Sequence, residues 1–119
     1  MQQIGTISAK IIALLGIAVP ANTAIFCGPS NKLHMSQSHP QDYANYGADI
    51  PLILANPDYV GLNPSDGSIE YVKEYLINHE YVKVAVRVST TGRFYARSVY
   101  VLNPSRVLRF IQQGTLKHT

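Results

Sequence analysis

Two histidines in one short segment are the clearest candidates for chemistry in this chain. His34 and His39 lie within residues 32–40, together with two serines and one lysine. Imidazole is the side chain whose unperturbed pKa lies near neutral pH, so such a pair is suited to transferring protons. The five-residue spacing does not match the four-residue spacing of helical metal ligands, and no third ligand is obvious. The segment therefore predicts acid–base chemistry without a metal or other cofactor, and solvent-exposed or helix-capping histidines are the alternative.

Positive charge is concentrated at the carboxyl end. All seven acidic residues lie between Asp42 and Glu80, whereas residues 81–119 contain seven bases and no acid. Residues 1–80, with three lysines, therefore sum to −4 and residues 81–119 to +7, within a net charge of +3. Charge segregated in this way predicts a polyanionic partner, RNA or DNA. The alternative is a basic segment that only balances the acidic middle of the chain.

Most of these bases fall within an alternating pattern typical of a β-hairpin. Four valines at positions 82, 84, 86 and 88 alternate with other residues and should face the core. A three-residue loop, 90–92, with Gly92 at positive φ would pair Val88 with Phe94, Val86 with Ala96, Val84 with Ser98 and Val82 with Tyr100. The opposite face then carries Lys83, Arg87, Ser89, Arg93, Tyr95 and Arg97.

The length of that loop decides the register. A two-residue loop would place Arg97 opposite buried Val86, and burying an unpaired guanidinium is costly, so we favour the three-residue loop. An ordinary solvated sheet face is the alternative to a binding surface, although such faces normally mix charges of both signs.

The remaining patterns predict one α+β domain over residues 1–119. Helices are predicted over residues 8–16, after Ser30, from Pro40 through Tyr46, after Asp49 and after Asn103. Strands are predicted over residues 24–27, 58–62, 68–76, 81–89 and 93–102. Helices followed by antiparallel strands and one last helix are typical of an α+β arrangement.

The amino terminus and the single cysteine bear on location. Residues 11–21 form an apolar run after Lys10 that loosely resembles a signal peptide, but it is too short to span a bilayer and also fits one face of a helix. Cys27 has apolar neighbours and no possible disulfide partner, which predicts a buried residue in a reducing compartment. We therefore expect a cytoplasmic protein without membrane association, with secretion or delivery into a target cell as the alternative.

Several stretches resemble a known nuclease family. They are residues 32–35 with 39–43, residues 53–64, residues 67–73, residues 83–88 and residues 94–102. Over nearly its whole length the chain is similar to the phage-encoded branch of the superfamily that contains barnase, EndoU, colicin-type and RelE-like ribonucleases. The resemblance implies N-terminal helices packed on a four-stranded antiparallel sheet, with a C-terminal helix. It also implies a metal-independent endoribonuclease that acts as a toxin or effector.

The resemblance also suggests a site. His34, and less closely His39, match helical histidine positions of the superfamily, and Arg87 and Arg97 match basic positions on its sheet. We expect His34 to act as base or acid with His39 or Tyr95 as its partner, while Arg87 and Arg97 stabilise the phosphate. The expected substrate-binding residues are Lys32, Lys83, Arg93, Tyr71 and Lys73, with Tyr71 stacking a base if it shares the basic face.

The expected partners follow from that activity. RNA is the expected substrate, with tRNA and ribosome-associated RNA as candidates, and a toxin would also require an immunity or antitoxin protein. The alternatives are a non-catalytic module that binds nucleic acid or protein, and a toxin with transferase chemistry.

Overall fold

A mixed seven-stranded sheet organises residues 2–119, which the computed structural model describes. The strands are β1 (Gln2–Ile7), β2 (Thr23–Cys27), β3 (Tyr59–Leu62), β4 (Ile69–Tyr75), β5 (Glu80–Val88), β6 (Phe94–Leu102) and β7 (Leu116–His118). They lie in the order β1-β2-β6-β5-β4-β3-β7. Strands β2 and β6 are parallel, and the other neighbouring strands are antiparallel.

The expected four-stranded antiparallel sheet is therefore wrong, although the arrangement is α+β. Strands β1 and β7, which the sequence did not predict, form the two edges of the sheet. Strand β2 enters the sheet through a short parallel pairing with β6, in which Ile25 lies beside Phe94 and Phe26 beside Tyr95. Strands β1, β2 and β7 therefore extend the antiparallel set β3–β6 on both sides.

The helices begin and end close to their predicted positions. They are α1 (Ala9–Leu15), α2 (Pro29–Ser38), α3 (Pro40–Tyr46), α4 (Ile50–Ala55) and α5 (Pro104–Gln113), with a 3-10 turn at Gly47–Asp49 between α3 and α4. Four of them carry proline in the first turn, where its missing N–H is not needed. None of the helices described combines the length and the apolar character that crossing a membrane requires.

The two faces of the sheet are covered differently. On one face, the fully buried Val82, Val84 and Val86 pack in the main core with residues of α1 and α4. On the other face, α5 covers a smaller apolar group that includes Val72, Leu102 and Val107. The rest of that second face lies beside α2, and it carries the basic residues of β5 and β6.

The β5–β6 hairpin confirms the predicted loop but not the whole predicted register. Gly92 has φ 86°, the N–H of Ser89 donates to the carbonyl of Arg93 at 2.7 Å, and Val88 pairs with Phe94. Val86 still pairs with Ala96, but the next pair is Ala85 with Ser98, so Arg97 occupies a β-bulge. From there Val84 pairs with Val99 and Val82 with Val101, which corrects the expected pairings with Ser98 and Tyr100.

Tyr71 lies in the main core, so the expectation that it stacks a base is wrong in this structure. It pairs with Val84 on the core face and is 0% exposed. Its hydroxyl has no hydrogen-bond partner among the described residues, and burial raises the pKa of the phenol. The side chain therefore contributes apolar contacts, together with an unsatisfied hydroxyl.

We expect Tyr71→Phe to raise the free energy of unfolding by about 1 kcal/mol, because it removes a buried, unpaired hydroxyl and keeps the ring. The raised pKa favours the neutral phenol in the folded state. This preference for the neutral phenol adds to the free energy of unfolding. The addition is complete below about pH 10, the ordinary pKa of a phenol, and is lost as the pH rises towards the raised pKa of Tyr71 in the folded protein. Denaturant unfolding at pH 7 and above pH 10 measures both effects. A destabilised variant, or one with the same alkaline loss as the parent, would contradict this account.

Candidate active site

Helix α2 brings His34 beside the sheet. Strand β2 ends at Cys27 after only two of its residues have paired with β6. The chain then continues into α2, which packs against β6. Met35 anchors the helix in the main core at 1% exposure, while the neighbouring His34 is exposed. The Nε2 of His34 lies 3.3 Å from the hydroxyl of Ser38, one helical turn later. The helix thus holds the imidazole at the edge of the basic face.

His34 shares one cleft of about 470 Å³ with Arg87 and Arg97. The other lining residues are small or polar: Ser30, Asn31, Asp66, Ser68, Ala85 and Ser98. The cleft therefore gathers side chains from α2, from the β3–β4 connection and from the adjacent strands β5 and β6. An imidazole that lines the same cleft as two guanidinium groups is suited to moving a proton next to a bound phosphate.

Arg97 owes its position to the bulge. Ser98 and Ala85 are paired, so Arg97 is the extra residue, and both Arg97 and Ser98 line the cleft. Bulges redirect side chains in this way near functional sites. The Nε of Arg97 is buried and has no hydrogen-bond partner within residues 2–119. A buried donor left unpaired is costly, and because this Nε has almost no exposed surface, an anion in the cleft would be bound through other atoms of Arg97.

Asp66 contributes a negative charge to the cleft. Its Oδ2 lies 3.5 Å from Nη1 of Arg87, with the two side chains 40% and 42% exposed, and its Oδ1 accepts from the N–H of Ser68 at 2.9 Å. Hydrogen bonds from Ser68, and to a smaller extent the charge of Arg87, lower the pKa of Asp66. The carboxylate therefore occupies one side of Arg87 as a fixed anion. Asp66 lies between the predicted strands 58–62 and 68–76, and its sequence context indicated no role for it.

The family comparison can be set beside this geometry. Residues 2–109 match the family model described as phage-Barnase-EndoU-ColicinE5/D-RelE like nuclease 3, abbreviated PBECR3. The chain belongs to this nuclease family. This match confirms the suspected superfamily, and His34, Arg87 and Arg97 lie within the matched residues. Neither a curated protein nor a solved structure matches the chain.

A second cluster of this PBECR3 nuclease holds Lys83 and His39. The ammonium of Lys83 donates to Oε2 of Glu70 at 2.7 Å and lies 4.7 Å from the ring centroid of Tyr100. The Tyr100 ring stacks on His39, with 4.7 Å between centroids. Burial alone would lower the pKa of Lys83, but hydrogen bonds to Glu70 and Tyr100 outweigh it and raise the pKa. Lys83 is therefore a paired cation, and neither it nor His39 lines the cleft.

Three expected substrate-binding residues lie outside the cleft. Lys32 lines a different pocket beside Cys27 and Met35, because two residues along a helix turn it about 200° from His34. Lys73 pairs with Val82, so it shares the strand face of the core valines, and its ammonium donates to the carbonyl of Asn56 at 3.0 Å. Tyr71 is on that same face, in the core. Strand alternation thus separates both β4 residues from the basic side.

Arg93 and Tyr95 are the last two predicted site residues, and neither lines the cleft itself. The guanidinium of Arg93 lies 5.1 Å from the ring centroid of Phe26, and Tyr95 lines a smaller pocket that adjoins the cleft at Arg97. Within residues 2–119, no three side chains among His, Cys, Asp and Glu are grouped so that they could hold a metal ion.

The acid in the cleft yields a prediction for this PBECR3 nuclease. We expect Asp66→Asn to bind a single-stranded oligonucleotide without ribonucleotides about two- to fivefold more tightly, because the carboxylate would compete with a phosphate for Arg87 across a half-exposed contact. Asparagine retains a carbonyl that can accept from Ser68. Glu74→Gln, which makes the same charge change on β4 outside the cleft, is the matched control. Fluorescence anisotropy at fixed salt compares the two, and equal affinities would show that only net charge matters.

Proposed function

We propose that this nuclease is a metal-independent endoribonuclease that cleaves RNA by attack of the 2′-hydroxyl. The observation that carries the proposal is the shared cleft of His34, Arg87 and Arg97. The products are a 2′,3′-cyclic phosphate and a free 5′-hydroxyl. Because RNA supplies its own nucleophile, the protein has only to move protons and to stabilise charge.

His34, Arg87 and Arg97 each have a role in this reaction. His34 takes the proton from the 2′-hydroxyl while its partner gives one to the leaving 5′-oxygen, or the two exchange these roles. Arg87 and Arg97 bind the scissile phosphate and offset the negative charge that develops on it. The position of both guanidinium groups in the wall of one cleft supports this role, because a phosphate bound there would neutralise them. Of the two expected partners of His34, His39 is stacked on Tyr100, and Tyr95 lies in the adjoining pocket.

A pair of matched oligonucleotides tests the proposal. One is RNA, and the other has the same sequence with a 2′-deoxy sugar at each cleavage position, and both are incubated with and without EDTA. We expect cleavage of the RNA alone, cyclic phosphate ends by mass spectrometry, and no effect of EDTA, since no metal-bound water is needed. Cleavage of the deoxy substrate, or cleavage abolished by EDTA, would overturn the mechanism. Binding with a steep salt dependence but no cleavage would favour the non-catalytic module.

We also propose that the protein acts as a toxin or effector on RNA in the cytoplasm. An enzyme that cuts cellular RNA harms the cell that makes it, so an immunity or antitoxin protein would be its second partner. Expression of the wild type should slow growth, and His34→Ala should relieve it. Equal growth with both forms would argue against a toxic ribonuclease.

A further inference from the structure

An aromatic surface lies next to the catalytic cleft. Phe26 of β2 and Tyr95 of β6 are register partners in the parallel pairing, both half-buried, with 6.2 Å between ring centroids. The guanidinium of Arg93 lies over Phe26, at 5.1 Å from its centroid. We call Phe26 and Tyr95 the aromatic shelf. The sequence indicated Phe26 only as part of a buried strand, because its pairing with β6 is not visible in the local pattern.

The shelf is continuous with the phosphate site. A pocket of about 340 Å³ is lined by Tyr95, Arg97 and residues 28–31, and it shares Arg97, Ser30 and Asn31 with the cleft. Tyr95 is also paired with Arg87 across the β5–β6 hairpin, so Phe26, Tyr95 and Arg87 follow one another on three adjacent strands. Neighbouring strands are about 4.8 Å apart, so a base at the shelf would belong to a nucleotide adjacent to the bound phosphate.

Such a surface suits one kind of ligand. A base that stacks on a protein ring must expose its own face, and a base within a duplex is covered by its neighbours and fixed by its pair. Stacking on an aromatic side chain tolerates every base, because each has a π-face. We propose that the aromatic shelf holds an unpaired base next to the scissile phosphate, which makes single-stranded RNA segments, such as loops and tails, the substrate class. This inference rests on the proposed ribonuclease activity for its cleavage test.

The test uses oligonucleotides with a single cleavable ribonucleotide in an otherwise deoxy strand. In one series the nucleotide on the 5′ side or on the 3′ side is abasic, and in another the same strand is annealed to its complement. We expect loss of one flanking base to lower kcat/KM by on the order of tenfold. The duplex should be cleaved at least that much more slowly than the single strand.

Variants show whether the shelf causes this preference. Phe26→Leu and Tyr95→Leu keep apolar volume but remove the ring, so they should cleave the intact and abasic strands at similar rates. Tyr95→Phe is the matched control, since it keeps the ring and loses only the hydroxyl, and it should keep the tenfold preference. Thermal unfolding of each variant shows whether it is folded. If Tyr95→Phe loses the preference for the intact strand as completely as Tyr95→Leu does, the ring is not what holds the base, and the shelf is overturned.

Binding separates this inference from the proposed function. Strands with no ribonucleotide cannot be cleaved by 2′-hydroxyl attack, so their affinities report on the shelf whether or not the protein is a ribonuclease. Tighter binding of the intact strand than of the abasic strand, lost in Tyr95→Leu, supports the shelf. Equal affinities for the intact and abasic strands would overturn the shelf and leave the ribonuclease proposal standing. So would equal cleavage of the intact strand and of the strands that are abasic on the 5′ or the 3′ side. Absence of any RNA cleavage would overturn the proposed function, and the binding result would still decide the shelf.

Discussion

Replacing His34 with alanine should lower the rate of RNA cleavage by about 10²–10⁴-fold, the usual contribution of general acid–base catalysis. The imidazole is exposed and its described hydrogen bond, to the hydroxyl of Ser38, is a surface contact at 3.3 Å, so its removal should leave the fold intact. Single-turnover cleavage of a labelled RNA measures the first effect, and thermal unfolding measures the second.

His39→Ala is the matched control for that experiment. The change is the same and the position is five residues away, but the His39 ring stacks on Tyr100 and does not line the cleft. We expect a much smaller effect on cleavage, with some loss of stability from the missing ring contact. Wild-type activity in His34→Ala, or a larger loss in His39→Ala than in His34→Ala, would remove His34 from the mechanism.

The sequence predicts those parts of the fold whose signals are local. Proline in the first turn and glycine after the last turn mark helix boundaries within a few residues, as Pro104 and Gly114 do for α5. The hairpin loop at Gly92 is equally local, because one residue supplies the positive φ that the loop needs. These features could be predicted because each depends on a few neighbouring residues.

The edges of the sheet depend on distant parts of the chain. Strand β1 pairs with β2 through an irregular register between Gln3 and Gly5, and its burial pattern does not alternate. Strand β7 has three residues and pairs with β3, more than fifty residues earlier. Neither segment has a periodicity that distinguishes it from a loop. The four-stranded expectation failed for this reason.

The candidate site was predicted in its central residues and not in its surroundings. His34 and Arg87 could be placed from one predicted helix and one alternating strand, and the structure brings them into one cleft with Arg97, which lies at a bulge that the sequence did not predict. The role of Asp66 could not be foreseen, since it requires the turn before β4 to reach Arg87. Tyr71 and Lys73 were misplaced because the length of the β4–β5 turn, which sets their face, was not fixed by the sequence.

The segregated positive charge acquires a more specific meaning from these contacts. Of the four bases on the hairpin, Arg87 and Arg97 line the cleft, Lys83 is paired with Glu70, and Arg93 lies over Phe26. The basic face therefore divides into the proposed phosphate site, an internal ion pair and the neighbourhood of the aromatic shelf. The charge distribution alone predicted a polyanionic partner. The contacts of the individual basic side chains indicate where a phosphate of that partner would bind.

Replacing Arg97 with methionine should lower cleavage by about 10²–10³-fold, comparable to removing one donor to a developing oxyanion. Arg97→Lys should not restore the rate, because an ammonium is a point charge without the planar array of donors that a guanidinium presents. The free energy of unfolding of Arg97→Met should be unchanged or higher than that of the parent protein. The Nε of Arg97 is buried without a partner, so methionine removes a desolvated donor and keeps much of the apolar stem.

Arg109→Met separates catalysis from electrostatic steering. Arg109 is exposed on α5 and does not line the cleft, so the variant loses the same unit of charge without changing the site. We expect it to weaken RNA association slightly at low salt and to leave the cleavage rate of bound RNA unchanged. Equal losses in the two variants would mean that Arg97 only attracts RNA. Slow cleavage together with undiminished stability in Arg97→Met, and no such loss of cleavage in Arg109→Met, would support a role for Arg97 in binding the phosphate, because the side chain would then not be needed to hold the fold together.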